Sequence, residues 1–208
     1  QATMLTFGTH ERADLRITAC EQGRHGLKVC LNGRQWFGLP LLGRHQALNV
    51  AATVAVARRL GVDQADIERG LARAPGAPMR LQRVEQGGVE FINDAYNANP
   101  ESVHAALATF AEVYPAGGPR RVVVLGDMLE QGGMAPQLHR EVLEAARALA
   151  PDLLVLVGKL WPQDAAGESC RTLPDLADRR GEEVAGWLQP GDAVLLKGSR
   201  GMALERIV

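Results

Sequence analysis

The spacing of apolar residues divides this chain into a strand-like start, a helical stretch and a long alternation of the two. In the first 40 residues, short runs at 3-TMLTF-7, 14-DLRITAC-20, 27-LKVCL-31 and 35-QWFGL-39 alternate or cluster apolar side chains and predict strands. Asn32-Gly33 between the last two predicts a hairpin, because a type I′ turn needs positive φ at both central residues. From Ala47 to Leu60 almost every residue is apolar, which predicts a helix buried all round and closed by Gly61. A second helix is expected over residues 64–73, with Ile67, Leu71 and Ala74 as its apolar stripe. Two prolines and a glycine in 75-PGAP-78 then break the pattern and predict a linker, with residues 1–77 on one side and 78–208 on the other.

Beyond the linker, strands are expected at residues 81–85 and 89–93 around a Gly87-Gly88 turn, then at 121–127, 153–158, 170–173 and 193–198. Helices are expected at 100–114, 136–149 and 175–188, with a last one starting near residue 200. Apolar strands separated by amphipathic helices predict an α/β fold, a Rossmann-like, mostly parallel sheet covered by helices. The sharpest junction is 91-FINDAYNANPES-102, where a strand meets a polar loop and then a helix start. Asn99 suits the N-cap there and Pro100 the first turn.

Composition narrows the class. Hydrophobic residues make up 46% and charged residues 23%, the balance of a soluble globular protein. A formal net charge of −1 argues against nucleic acid as a partner. No apolar run approaches the roughly 20 residues needed to cross a bilayer, and residues 1–15 show no signal peptide. The expectation is a cytoplasmic protein with no membrane insertion. Cys20, Cys30 and Cys170 lack metal-ligand spacing and read as buried thiols, with a disulfide, metal or nucleophile role as the alternative. The chain opens on strands already under way, so we expect it to be cut from something longer.

If the strands run parallel, their carboxyl-end loops share one edge: 94-DAYNAN-99, 126-GDMLEQGG-133, 158-GKLWP-162 and 197-KGSRG-201. All four are polar and carry, or directly follow, glycine or a cluster of amides, which favours a binding crevice over a plain scaffold. Asp94 could hold a ribose hydroxyl pair or a cation, or simply cap a turn. Asn97 and Asn99 could hold a polar substrate, although capping alone explains Asn99. Asp127 and Glu130 suit a substrate ammonium, or are solvated loop charges. Lys197, Ser199 and Arg200 could take an anion at the amino end of the final helix, or form a surface cap. His139 reads equally as structural or as a ligand, and Met128, Met134 and Met202 as packing. No GxGxxG follows a strand and no GxxxxGK[ST] phosphate loop occurs.

The set DAYNANPES, LGDMLEQG with His139 downstream, and LLKGSRGMALE resembles the MurF type of Mur ligase, which adds D-alanyl-D-alanine in peptidoglycan synthesis. The GRHQALNVAA helix and the Arg80 segment look like the same family, and the resemblance runs through the whole chain in order. It implies that residues 1–77 are the end of the central ATP-binding domain and residues 78–208 the Rossmann-like C-terminal domain. It implies an ATP-dependent ligase acting on UDP-MurNAc-tripeptide and D-alanyl-D-alanine through an acyl phosphate. Mg2+ would be bound mainly by residues outside this chain, which alone is expected to be inactive, and a monomer is expected. By the same resemblance Asn49 faces the adenine, Arg80 reaches the ATP phosphate or ribose, and Asp94 holds the ribose hydroxyls. Gln46 stands where relatives often carry Asn and offers the same amide on a longer arm. Tyr96, Asn97 and Asn99 would face the dipeptide or the reacting centre. The loops carrying Asp127 and Glu130, and Lys197, Ser199 and Arg200, would line the dipeptide pocket. Two alternatives stand beside this reading: another Mur or folylpolyglutamate-type ligase, and a non-catalytic Rossmann-like binding module.

Overall fold

The computed structural model describes residues 4–177 and 180–208. The chain divides into two compact units that part between Gly76 and Ala77.

In the first unit, β1 (Phe7–Gly8), β2 (Leu15–Gly23), β3 (Gly26–Leu31) and β4 (Gln35–Leu39) form a sheet in that order. β1 is parallel to β2, while β2, β3 and β4 are antiparallel. The expected hairpin forms: Asn32 and Gly33 have φ of 53° and 67°, and the Arg34 N–H donates back to the Leu31 carbonyl. The first strand is shorter than predicted, and residue 3 of the predicted run lies outside the described residues. The Asp14 carboxylate takes both the N–H and the hydroxyl of Thr6, so ladder pairing begins only at Phe7.

Helices α1 (Gln46–Arg59) and α2 (Gln64–Ala72) cover one sheet face. Ala47, Val50, Ala51, Val54 and Ala55 of α1 pack with Leu27, Val29, Leu31 and Phe37. α1 is not buried all round, a correction to the sequence reading: Leu48, Val56 and Leu60 are exposed. Its end is as predicted, since Gly61 (φ 76°) donates to the Arg58 carbonyl and Val62 to that of Ala57, a Schellman close.

The second unit is built on a six-stranded sheet in the order β5–β6–β10–β7–β8–β9. The strands are β5 (Gln82–Gln86), β6 (Val89–Asp94), β7 (Arg121–Gly126), β8 (Leu153–Val157), β9 (Cys170–Leu173) and β10 (Ala193–Lys197). β5 is an antiparallel edge turned by Gly87-Gly88, and the other five strands run parallel. On one face Phe91, Val122, Val124, Val155, Val194 and Leu196 pack with Val184, Leu204 and Ile207. Strand periodicity sends the equally buried Ile92, Val123, Leu125, Leu154, Leu156 and Leu195 to the other face. That face belongs to α3 (Pro100–Val113) and α4 (Ala135–Ala148), which contact each other.

Two helix predictions are corrected. Of the stretch 175–188, only α5 (Arg180–Ala185) is helical, residues 178–179 lying outside the described residues. The α-helix expected near residue 200 is replaced by two 3-10 turns, Arg200–Met202 and Leu204–Ile207, broken by Ala203 at φ 51°. Cys30 and Cys170 are buried and Cys20 is half-buried, and none is in a disulfide. Burial holds the Cys170 thiol above its ordinary pKa, partly offset by the charge of Arg147.

Candidate functional site

Four parallel strands of the second unit stop at nearly one level. Lys197, the last residue of β10, is in register with Asp94, the last of β6, and with Leu125, one short of the end of β7. Leu125 is in turn in register with Leu156, one short of the end of β8. Their carboxyl-end loops therefore open on one edge. Because β10 is inserted between β6 and β7, the Lys197 loop lies between the Asp94 and Asp127 loops. Gly126 and Gly198 permit that proximity: a Cβ on Gly198 would lie 3.0 Å from the Gly126 Cα.

On the β6 side, Asp94 Oδ1 accepts the Leu81 N–H at 3.1 Å and Oδ2 lies 3.0 Å from Lys197 Nζ. Lys197 also donates to the carbonyls of Asp94 (3.3 Å) and Asn97 (2.5 Å). The lysine side chain is only 3% exposed, whereas Asp94 keeps 15%. Asn99 caps α3 as predicted. Its Oδ1 accepts the Ser102 N–H at 2.8 Å, the Ser102 hydroxyl takes the Asn99 N–H, and such caps contribute about 1 kcal/mol. Tyr96 and Asn97 are exposed, and the Arg80 guanidinium stacks 4.2 Å from the centre of the Tyr96 ring. The structure thus brings together a residue expected on the nucleotide side and one expected on the dipeptide side.

On the β7 side, Asp127 turns inward. Its Oδ2 accepts the Lys159 N–H at 2.9 Å and its Oδ1 the Leu160 N–H at 3.2 Å. His139, fully buried on α4, accepts the Met128 N–H at Nε2 (3.0 Å), so its proton sits on Nδ1, facing the Ala135 carbonyl at 2.7 Å. Trp161 packs edge-on against that imidazole. Ser199, also buried, accepts the Leu129 N–H with its hydroxyl and donates its own N–H to the Asp127 carbonyl. These contacts join the loops after β7, β8 and β10 into one body.

Glu130 (φ 65°), Lys159 and Arg200 are charged members of these loops that face solvent, Arg200 lying beside Glu205 at 2.9 Å. A cavity of about 500 Å³ opens along this edge, lined by Leu129, Lys159, Leu160, Leu176, Met202 and Arg206 among others. Periodicity flagged the loop after β8 but not Lys159, Leu160 or Arg206 as lining residues, since that depends on strand order. In the first unit, the exposed Asn49 donates to the Gln46 Oε1 at 2.8 Å, as their i, i+3 spacing predicts. Among the described residues, no group of three or more His, Cys, Asp or Glu is arranged to hold a metal ion. No helix among them is long and apolar enough to cross a membrane.

Residues 79–200 match the family model described as "Mur ligase, glutamate ligase domain", and the chain belongs to the Mur ligase family. It is 32% identical over 214 residues to the UDP-N-acetylmuramoyl-tripeptide–D-alanyl-D-alanine ligase of Bacillus subtilis, covering 98% of this chain and 46% of that protein. Its structure matches MurF from Acinetobacter baumannii with a TM-score of 0.82 at 29% identity, over 97% of this chain and 45% of the other. MurF from Thermotoga maritima in complex with ADP matches with a TM-score of 0.74 at 25% identity, over 98% and 47%. The chain spans about half the length of the relatives it matches. Other branches of the family match at similar sequence identity, so identity alone does not choose a branch.

Proposed function

We propose that this chain is part of an ATP-dependent ligase that adds D-alanyl-D-alanine to UDP-MurNAc-tripeptide in peptidoglycan synthesis. The observation that carries the reading is the common edge where Asp94, Tyr96, Asn97, Glu130 and Arg200 gather at level strand ends. Similarity to MurF enzymes, one of them described with ADP, supports it. ATP, when bound, supplies the phosphoryl group that makes the tripeptide carboxylate an acyl phosphate open to attack by the dipeptide amine.

In this reading Asp94, at the open end of β6, accepts hydrogen bonds from the ribose hydroxyls. Arg80 meets phosphate or ribose, and the Asn49–Gln46 amide pair meets the adenine. Tyr96, Asn97 and the open side of Asn99 face the dipeptide, with Glu130 and Arg200 beyond them. Asp127 and Ser199 shape that pocket from beneath. These groups fit the adenosine and acceptor sides of the reaction. The phosphate loop and the Mg2+ ligands belong to residues outside this chain, so the 208 residues alone do not turn over. Catalysis here is positioning and charge stabilisation.

In the full-length ligase, Asp94→Ala should raise the KM for ATP about tenfold or more, the scale expected for loss of charged hydrogen bonds. Unchanged nucleotide dependence would instead support a non-catalytic binding module. Comparing D-alanyl-D-alanine, diaminopimelate and glutamate as acceptors decides the branch.

A further inference from the structure

We propose that Lys197 is a positioning residue that holds the Asp94–Asn99 loop in its working shape and does not itself bind a substrate. What the loop does rests on the ligase reading above; what the lysine does rests on geometry. An ammonium has three N–H donors and no acceptor. Lys197 Nζ faces Asp94 Oδ2 at 3.0 Å, the Asp94 carbonyl at 3.3 Å and the Asn97 carbonyl at 2.5 Å, so one loop engages all three donors. With 3% of its side chain exposed, none is left for a phosphate or a carboxylate arriving from solvent.

Register explains the arrangement. β10 lies directly beside β6 and ends level with it, so its last side chain passes under the turn that Asp94 begins. A buried charge must be paired, and here the partner is the loop itself. The consequence reaches Asp94. With Oδ2 on the ammonium and Oδ1 on the Leu81 N–H, the plane of its carboxylate is set from two sides. The carbonyl of Asn97 is fixed by the same ammonium. One cation thus couples the proposed nucleotide carboxylate to the proposed dipeptide loop.

The chain's three lysines, Lys28, Lys159 and Lys197, make a direct test. Lys28 and Lys159 are exposed. Treated with limiting acetic anhydride and read by peptide mass spectrometry, the ligand-free chain should acetylate Lys197 about tenfold more slowly than Lys159, or slower still. Asp94→Asn should speed the labelling of Lys197. Labelling at the Lys159 rate in the unaltered chain overturns the proposal.

In the full-length ligase, Lys197→Met should raise the KM for ATP about as much as Asp94→Asn does, and the double variant should be no worse than the larger single effect. Simple loss of folded enzyme lowers kcat and leaves that KM unaltered, which would overturn the positioning role. If Lys197→Met does not fold, the labelling of the unaltered and Asp94→Asn chains decides. A full-length enzyme without ATP-dependent ligation overturns the ligase reading, and the labelling still judges the lysine.

Discussion

Asp94 and Asp127 occupy equivalent places, the first at the end of β6 and the second just past the end of β7, yet they are held in opposite ways. Asp94 is bound by an ammonium and one backbone N–H and keeps 15% of its side chain exposed. Asp127 is bound by two backbone N–H groups of the next loop, with His139 Nε2 3.7 Å away, and keeps 7%. Strand order makes the difference. β6 has β10 beside it, which brings Lys197; β7 has β8 on its other flank, which brings the turn at Gly158. Both carboxylates are held at each oxygen, but Asp94 keeps the larger exposed area, whereas Asp127 staples the loop after β7 to the backbone of the loop after β8. Equivalent position in a fold does not mean equivalent work.

The comparison breaks most severely at Gly158. Its φ is 135°, and a Cβ there would lie 2.1 Å from the Asp127 carboxyl carbon. Gly158→Ala should cost on the order of 4 kcal/mol or prevent folding, which denaturant unfolding measures. Asp127→Ala should cost less, about 2–4 kcal/mol, by leaving the Lys159 and Leu160 N–H groups without their acceptor. The two should not add. Without the carboxylate, an alanine at 158 keeps its backbone strain but loses the clash, so the double variant should be more stable than the sum predicts. Strict additivity would mean that Asp127 is not what confines Gly158.

The same contrast separates what could be read from sequence. Asn99 and Pro100 at α3, Asn32-Gly33 in the hairpin and Gly61 closing α1 are local devices, each settled by a few neighbouring residues, and each appears as predicted. The inward turns of Asp127, Lys197 and Ser199 depend on β10 entering between β6 and β7, a pairing across about 100 residues that no local spacing reports. His139 belongs with them: its task is a backbone N–H on another element. The outer face of α1 is not legible in the sequence, because the exposed Leu48, Val56 and Leu60 carry no polar mark. The break in the final helix is not legible either, because Ala203 takes a left-handed φ without being glycine. The expectation of parallel strands puts the polar loops on one edge; only geometry divides them into solvent-facing groups and staples.

A third carboxylate extends the comparison to the fully open case and has the smallest expected effect. Asp14 lies on the surface of the first unit, where the hydroxyl of Thr6 and then its N–H, each at 2.7 Å, hold the carboxyl below its ordinary value of 3.8; the slight burial opposes them. The sign follows from linkage. A carboxyl whose folded pKa is depressed adds stability above the unfolded value, and that contribution fades as pH falls through the lower folded value. Asp14→Asn should therefore lower the unfolding midpoint slightly at neutral pH and flatten the fall in stability as pH drops through and below the ordinary value of 3.8. Solvent screening keeps the change small beside those at Gly158 and Asp127. A carbon-detected titration of the Asp14 side chain gives the direct check: a midpoint at or above 3.8 would show that Thr6 exerts no hold, and that hydrogen bonds secure a carboxylate in this fold only where water is excluded.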